Sequence, residues 1–257
     1  MVTRVLLWNA LFLLLLMSTA FVVARQRKRL DTVDTAWGLA YIVPASLALG
    51  FQLQASTIVI GIAVYIWAIR LATHILERNR HRSDDPRYQE LSKKWGGNFW
   101  LRAYVSIFFT QAVLVWLVSI PVVMATNTPL RHGTVLVVLG ALVWVSGFLV
   151  EAVADRQLRI FLQDKRHHGH TLQTGLWRYS RHPNYFGELT QWYGIALIAA
   201  SVRFGWVGFI GPVLLTILIV FVSGLPPIER RRQRDAEYQT YKRRTSALIP
   251  WLPKQNT

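Results

Sequence analysis

Long uncharged hydrophobic segments alternate with short basic segments along the chain. At a rise of 1.5 Å per residue, a helix needs roughly 20 apolar residues to cross a hydrocarbon core about 30 Å thick. Six apolar segments approach or exceed this length, and a further one is shorter. The predicted spans are residues 5–24, 34–54, 57–76, 104–125, 134–150, 189–201 and 204–224. This pattern predicts an all-α polytopic membrane protein with seven transmembrane helices.

Basic residues follow every second predicted span. Apart from four residues, the 29 lysines and arginines lie in segments 25–29, 78–102 and 156–181 and from residue 230 onward. Because cytoplasmic loops of membrane proteins are rich in Lys and Arg, we expect the N-terminus outside and the C-terminus in the cytosol. The same rule explains the formal net charge of +16 without a nucleic-acid partner. We expect a multi-pass protein of a bacterial inner membrane, or of the endoplasmic reticulum in a eukaryote.

The composition excludes several classes of chemistry. The chain has no cysteine, which excludes disulfides, a cysteine nucleophile, thiolate metal sites and iron–sulfur clusters. Hydrophobic residues make up 53% of the chain and charged residues only 16%, so no soluble domain of any size fits. We therefore predict one membrane domain over residues 1–257. The histidines of segment 165–170 lack an ordered carboxylate shell, and no metal site is predicted there.

Polar and charged side chains recur at helical spacing within or at the ends of three predicted spans. Charged groups at membrane depth are costly, so each is a candidate for function. They either form a site or mark helix ends and extend toward the interface, and Asp34 also fits an ordinary helix cap. The clusters are Trp67, Arg70, His74 and Arg78 in the third span, Asp34, Trp37 and Tyr41 in the second, and Glu151 and Asp155 at the end of the fifth.

A polar motif joins the basic segment 156–181 to the short sixth span. It reads Arg-His-Pro-Asn-Tyr-Phe-Gly-Glu over residues 181–188. Pro183 can open a helix, so we expect the helix to begin near Asn184. Residues 189–201 give only about 20 Å of helix, which is less than the bilayer core. Amide groups at the start of this helix, beside Arg178 and Arg181, would attract a phosphate.

This motif resembles that of the membrane steroid 5-alpha-reductase-like family, in particular its bacterial branch of unknown function. The resemblance extends over segments 34–38, 70–79, 85–88, 151–161 and 238–250. Sterol reductases share a related pattern, and membrane isoprenylcysteine and phospholipid methyltransferases share Arg-His-Pro-x-Tyr-x-Gly. The combination of Asn184 with Glu188 favours the reductases.

The resemblance implies seven helices around a cavity open to the cytosol that holds NADPH. It also implies hydride transfer to a conjugated C=C bond of a lipidic or steroid-like enone, with residues 134–253 carrying the cofactor motif. The expected cofactor-binding residues are Arg70, Arg78, Asn79, Asp155, Tyr179, Arg181, His182, Asn184, Glu188 and Arg230. The expected substrate-binding residues are Trp37, Tyr41 and Trp67, and the expected catalytic residues are Asp34 and Glu188.

Two of these positions depart from the family pattern. Steroid reductases carry a Glu in span two and a Tyr in span three that polarise the substrate's 3-oxo group. Here Trp67 matches the Tyr position and span two has no Glu, so Asp34 is the substitute for the acid. The cofactor motif therefore predicts NADPH without specifying a steroid as the substrate.

Two other functions also fit the sequence. The shared Arg-His-Pro-x-Tyr-x-Gly pattern also fits an S-adenosylmethionine-dependent membrane methyltransferase. A non-catalytic lipid-binding membrane protein would explain the hydrophobic spans without any cofactor. In each case the expected partners are membrane lipids and, for an enzyme, a lipidic small-molecule substrate.

Overall fold

The apolar segments form helices, which satisfy the backbone hydrogen bonds without water. A computed structural model of the chain describes residues 1–80, 86–167 and 169–254, without the side chains of residues 78–80, 86 and 87. Its α-helices are α1 (Val2–Arg27), α2 (Thr32–Ala40), α3 (Ile42–Phe51), α4 (Ala55–Arg80), α5 (Pro86–Trp95), α6 (Phe99–Ala103), α7 (Thr110–Val118), α8 (Ile120–Met124), α9 (Gly133–Gln163), α10 (Pro183–Ala199), α11 (Ile210–Ile217), α12 (Leu225–Arg231) and α13 (Ala236–Arg244). Within the described residues, β pairing is limited to two isolated bridges.

Six helical segments within the described part of the chain are long and apolar enough to cross a membrane. They are Val2–Arg27, Thr32–Phe51, Ala55–Glu77, Tyr88–Val118, Gly133–Gln163 and Gly205–Arg231. The chain is therefore an all-helical, multi-pass membrane protein. Residues 189–199 of the predicted span 189–201 lie in α10, which begins at Pro183, ends at Ala199 and has only 17 residues.

Prolines divide two of the predicted spans into shorter helices. The second span breaks at Tyr41, between α2 and α3, because Pro44 has no N–H to donate to the carbonyl group four residues earlier. The fourth breaks at Ser119, two residues before Pro121. A π-helical turn, Tyr104–Phe109, precedes α7, and another, Leu218–Val222, follows α11. The hydropathy pattern located these segments, but their interruptions depend on single residues.

The described residues group into two compact units. The first consists of Met1–Val137 and Ala196–Gly211, and the second of Val138–Ile195 and Pro212–Thr257. In the first unit a buried hydrogen bond of 3.0 Å joins Asn9 Nδ2 of α1 to the Ser119 hydroxyl. This bond fixes α1 against the break between α7 and α8.

In the second unit, α9 and α10 pack together through glycines. A Cβ atom at Gly187 would lie 2.5 Å from the Glu151 nitrogen, and one at Gly194 would lie 2.7 Å from the Trp144 nitrogen. Gly147 on α9 is equally close to the backbone of α10. Since Gly187 and Gly194 are seven residues apart, they lie on one face of α10. Small residues on such a face let two membrane helices approach backbone to backbone.

Candidate functional site

A tight turn, Gly175–Arg178, precedes the motif and packs against α9. Gly175 adopts φ +61°, and a Cβ there would overlap the side chain of Gln157. The side-chain oxygen Oε1 of Gln157 accepts a hydrogen bond of 3.0 Å from the Leu176 backbone nitrogen. Trp177 Nε1 donates to the Ala154 carbonyl oxygen at 3.1 Å. These contacts fix the start of the segment that carries Arg181 and His182.

Arg181 binds the carboxylate of Glu229, which lies on α12. Its Nε and Nη2 atoms donate to Glu229 Oε1 at 3.1 and 2.5 Å. Its Nη1 donates to the carbonyl oxygens of Thr245, at 2.6 Å, and Lys242, at 3.2 Å. The side chain of Lys242 in turn donates to Glu229 Oε2 at 2.6 Å. Arg181 is only 8% exposed, so this is a buried, charge-assisted network.

This network gives Arg181 an anchoring role, and the phosphate contact expected from the sequence stays a prediction. A guanidinium group has five N–H donors, and protein oxygens accept four hydrogen bonds from that of Arg181. A bidentate phosphate contact needs two donors and would therefore have to displace Glu229 or one of the carbonyl groups. Arg181 thus holds α12 and the end of α13 against the motif.

Two polar atoms of the motif are buried without a hydrogen-bond partner. They are Nε2 of His182, which is 4% exposed, and Oδ1 of Asn184 in the first turn of α10. The His182 ring stacks on Tyr185 at 5.7 Å, and its Nε2 lies 3.8 Å from Glu229 Oε1. Buried polar atoms normally have partners. The two atoms therefore offer a place for an additional polar group at the start of α10.

The imidazole of His182 is neutral at pH 7. The pKa of His182 is lowered to about 4, chiefly by burial and also by the positive charges of Arg181 and Arg232, although the Glu229 carboxylate opposes the shift. A neutral imidazole has one N–H donor and one acceptor nitrogen. His182 can therefore either donate to or accept from a neutral ligand.

The segment 245–251, which we call the tail strap, runs beside the residues that precede α10. Ser180 forms a bridge with Ser246, and its hydroxyl donates to the Leu248 carbonyl oxygen at 2.7 Å. The Arg181 nitrogen donates to the Ser246 carbonyl oxygen at 2.8 Å, and the Trp251 nitrogen donates to the Tyr179 carbonyl oxygen at 2.9 Å. The tail strap therefore holds the motif along its whole N-terminal flank.

Further predicted residues of the second unit differ in burial. Asp155 on α9 and Glu188 on α10 are buried, whereas Tyr179 and Arg230 are exposed. The guanidinium group of Arg178 lies 5.9 Å from the centre of the Tyr179 ring. The unit thus has buried carboxylates in α9 and α10 and exposed bases at Arg178 and Arg230.

The predicted substrate-binding residues come together in the first unit. Tyr41 packs edge to face against Trp37 and Trp67, with ring centres 5.0 and 5.3 Å apart, and the two tryptophans are 6.4 Å apart. Tyr41 and Trp67 are buried, whereas Asp34 and Arg70 are half-buried. The side chains of Arg78 and Asn79 lie outside the described residues, so their cofactor roles stay predictions.

Sequence reasoning assigned no role to three residues that hold the second unit together. Glu229 and Lys242 complete the Arg181 network, and Gln191 Nε2 donates to the buried carboxylate of Glu151. The sequence did contain a signal for Glu229, because it is a single acidic residue between an apolar helix and a run of arginines. The sequence contained no such signal for Lys242, since it is one of many bases in the tail.

The profile of one protein family, described as a protein of unknown function (DUF1295), matches residues 20–245. This range includes the aromatic group of the first unit and the whole Arg181 network. Neither a curated protein nor a solved structure matches the chain.

Proposed function

The chain belongs to the DUF1295 family, and we propose that it is an NADPH-dependent membrane reductase acting on a conjugated C=C bond of a lipidic enone. The observation that carries the proposal is the pair of buried, unpartnered polar atoms, His182 Nε2 and Asn184 Oδ1. Both belong to the motif whose pattern resembles that of the steroid 5-alpha-reductase-like family. A site of this kind suits the uncharged polar end of a ligand.

The donors and acceptors of these two residues match a nicotinamide carboxamide. The Asn184 Oδ1 atom accepts a hydrogen bond, which an amide NH₂ group can donate. The neutral His182 presents either a donor or an acceptor, depending on its tautomer. Glu188, one turn further along α10, is the residue that we assign to orienting the carboxamide.

The phosphate groups require positive side chains that are not already bound. Because Glu229 occupies Arg181, we assign the phosphate contacts to Arg178 and Arg230, which are exposed in the same unit. Arginine binds phosphate oxygens in a bidentate manner, which suits a 2′-phosphate as well as a pyrophosphate. Of the cofactor residues expected from the resemblance, Arg181 then acts as a positioning residue.

We further propose seven spans, with α10 as the sixth and the C-terminus in the cytosol. Seventeen residues give about 25 Å of helix, which is short of a bilayer core of about 30 Å. The close glycine packing against the long α9 would hold this undersized helix in the bundle. Its N-terminal motif would then lie at the cytosolic boundary of the apolar region.

Bound NADPH would supply the hydride, and side chains of this chain would bind and polarise the substrate. Hydride addition to a conjugated C=C bond develops negative charge on the carbonyl oxygen of the substrate, and that oxygen needs a hydrogen-bond donor. We assign this role to Asp34 as the neutral carboxylic acid, since an ionised carboxylate has no hydrogen-bond donor. Within the first unit, the aromatic group of Trp37, Tyr41 and Trp67 would suit an apolar, lipidic substrate.

A thermal-shift titration of the purified protein in detergent tests the proposed function. At a hundredfold excess over its Kd, a ligand stabilises by about 2.7 kcal/mol, which raises Tm by on the order of 5–10 °C for a chain of this size. We expect NADPH to produce this shift at lower concentration than NADH. A shift with S-adenosylmethionine alone would indicate the methyltransferase, and no shift with any of the three would indicate a non-catalytic protein.

Variants of the motif connect the titration to the site. We expect Asn184→Ala to weaken NADPH binding by about tenfold, because one hydrogen bond to the carboxamide is lost. Asn98→Ala is the matched control, since Asn98 is exposed in the first unit and its side chain caps no helix. Equal NADPH affinities of the two variants would contradict the assignment of Asn184.

A further inference from the structure

Three large apolar side chains are exposed within four residues at the end of the tail strap and directly after it. Ile249, Trp251 and Leu252 are 63%, 74% and 75% exposed. They lie beyond the last of the six membrane-length segments, which ends at Arg231. In contact with water, these side chains would form an apolar patch with no neighbour.

The hydrogen bonds of the tail strap place this patch at the level where two apolar helices end. The Trp251 nitrogen is bound to the Tyr179 carbonyl oxygen, four residues before α10 begins at Pro183. Arg181 follows Tyr179 by two residues, and its side chain binds Glu229 in the last turn of α12. The start of α10 and the end of α12 thus lie beside the tail strap, and both mark the boundary of the apolar region.

Positive charges surround the patch in the sequence and in the fold. Arg243 and Arg244 are exposed at the end of α13, directly before the tail strap. Lys254 follows it, and its nitrogen donates to the Arg244 carbonyl oxygen at 2.9 Å, which brings the two ends of the segment together. A tryptophan beside aliphatic residues, flanked by bases, suits a membrane interface with anionic headgroups.

We propose that residues 249–254 dock on the anionic lipid surface of the membrane that the chain itself spans. Ile249, Trp251 and Leu252 insert into the boundary between headgroups and acyl chains. Arg243, Arg244 and Lys254 contact lipid phosphates. The lipid surface, through the tail strap, thereby supports the segment that carries Arg181 and His182. The docking site does not depend on the proposed reductase activity.

The absence of cysteine makes a direct measurement of depth possible. A single cysteine introduced by Trp251→Cys carries a nitroxide spin label, and the full-length protein is placed in nanodiscs of phosphatidylcholine with or without phosphatidylglycerol. Electron paramagnetic resonance then compares the accessibility of the label to oxygen and to a water-soluble nickel chelate. Thr240→Cys, at an exposed position of α13, is the matched aqueous control.

We expect the label at position 251 to be several-fold less accessible to nickel than the label at position 240, and more accessible to oxygen. Protection from nickel should be stronger with phosphatidylglycerol, and a combined Arg243→Gln and Arg244→Gln change should reduce it. Leu252→Cys repeats the measurement at a side chain that is equally exposed, so that a folding defect at one position does not decide the result.

Two results would overturn the docking of this patch on lipid. One is equal nickel accessibility at positions 251 and 240 in both lipid compositions. The other is protection accompanied by dipolar broadening between labels, which would place a second copy of the chain on the patch. Protection that does not respond to phosphatidylglycerol would overturn the assignment of anionic lipid as the occupant.

Discussion

The Arg181 guanidinium and the Glu229 carboxylate are joined by two hydrogen bonds to the same oxygen, although the residues are 48 positions apart in the chain. Lys242 binds the other carboxylate oxygen from a third segment. This relationship connects the motif before α10 with α12 and α13. Both the anchoring of the tail and the assignment of phosphate contacts elsewhere follow from it.

Glu229→Gln should destabilise the protein, because it removes the negative charge between Arg181 and Lys242. Removing one partner of a fully buried ion pair costs about 3–5 kcal/mol, and we expect less here because the Lys242 side chain is 39% exposed. Thermal unfolding in detergent measures the effect. Glu90→Gln, at an exposed position of α5, is the matched control and should leave Tm nearly unchanged.

Gly187→Ala should force α9 and α10 apart. The added Cβ would lie 2.5 Å from a backbone nitrogen of α9, which no side-chain rotation can relieve. Overpacking of this kind costs about 1–3 kcal/mol. Gly50→Ala makes the same change in α3, where the added Cβ would meet no neighbouring group within 4 Å. This variant should stabilise the protein by about 0.5–1 kcal/mol. Equal Tm values for the two variants would contradict the close helix contact.

Stability should decrease as the pH falls from about 6.5 toward 4. The folded state holds the pKa of His182 near 4, so between these values the unfolded state binds the proton and the folded state does not. The shift corresponds to a loss on the order of 3 kcal/mol at pH 4, while stability above pH 6.5 is unaffected by this group. The measurement is Tm as a function of pH.

His182→Gln should flatten this part of the pH profile, because the variant has no group to protonate at the site. The matched control is His132→Gln, since His132 is exposed, and it should retain the full pH dependence. A wild-type profile that is flat from pH 6.5 to 4 would show that His182 is not buried in its neutral form.

Tyr241→Phe should loosen the tail strap. The Tyr241 hydroxyl donates to the carbonyl oxygens of Trp177 and Ser180, and both bonds are buried. Leaving buried acceptors without a donor costs about 1–3 kcal/mol. Limited proteolysis should cleave the tail faster in this variant. Tyr65→Phe, which removes a hydroxyl bound to Ser46 at an exposed site, should leave the cleavage rate unchanged.

The helical membrane fold could be predicted from the sequence, because hydropathy is a local property and an apolar run of sufficient length has few alternatives. The start of α10 at Pro183 was predicted to within one residue, since proline restricts its own backbone. The short sixth span was recognised as short. The seven-span count stays a prediction, because α10 is below the length at which composition alone indicates a crossing.

The partners of the charged residues could not be predicted in the same way. Arg181 suits a phosphate and a carboxylate equally well, and the sequence does not say which of them it contacts. The predicted aromatic residues Trp37, Tyr41 and Trp67 do meet, because their helical spacing already placed two of them on one face. The packing of α2 against α4, which brings Trp67 to the other two rings, is visible only in the structure.

The sequence by itself determined that the chain is a helical, multi-pass membrane protein with a polar motif at the start of an undersized helix. Those properties depend on residue type and on spacings of a few positions. Only the tertiary structure decided that Glu229 binds Arg181, that glycines join α9 to α10, and that the tail strap lies beside Ser180. Each of these contacts joins segments that are far apart in the chain, and the free energy of such a contact comes from burial and charge that exist only once the helices have packed.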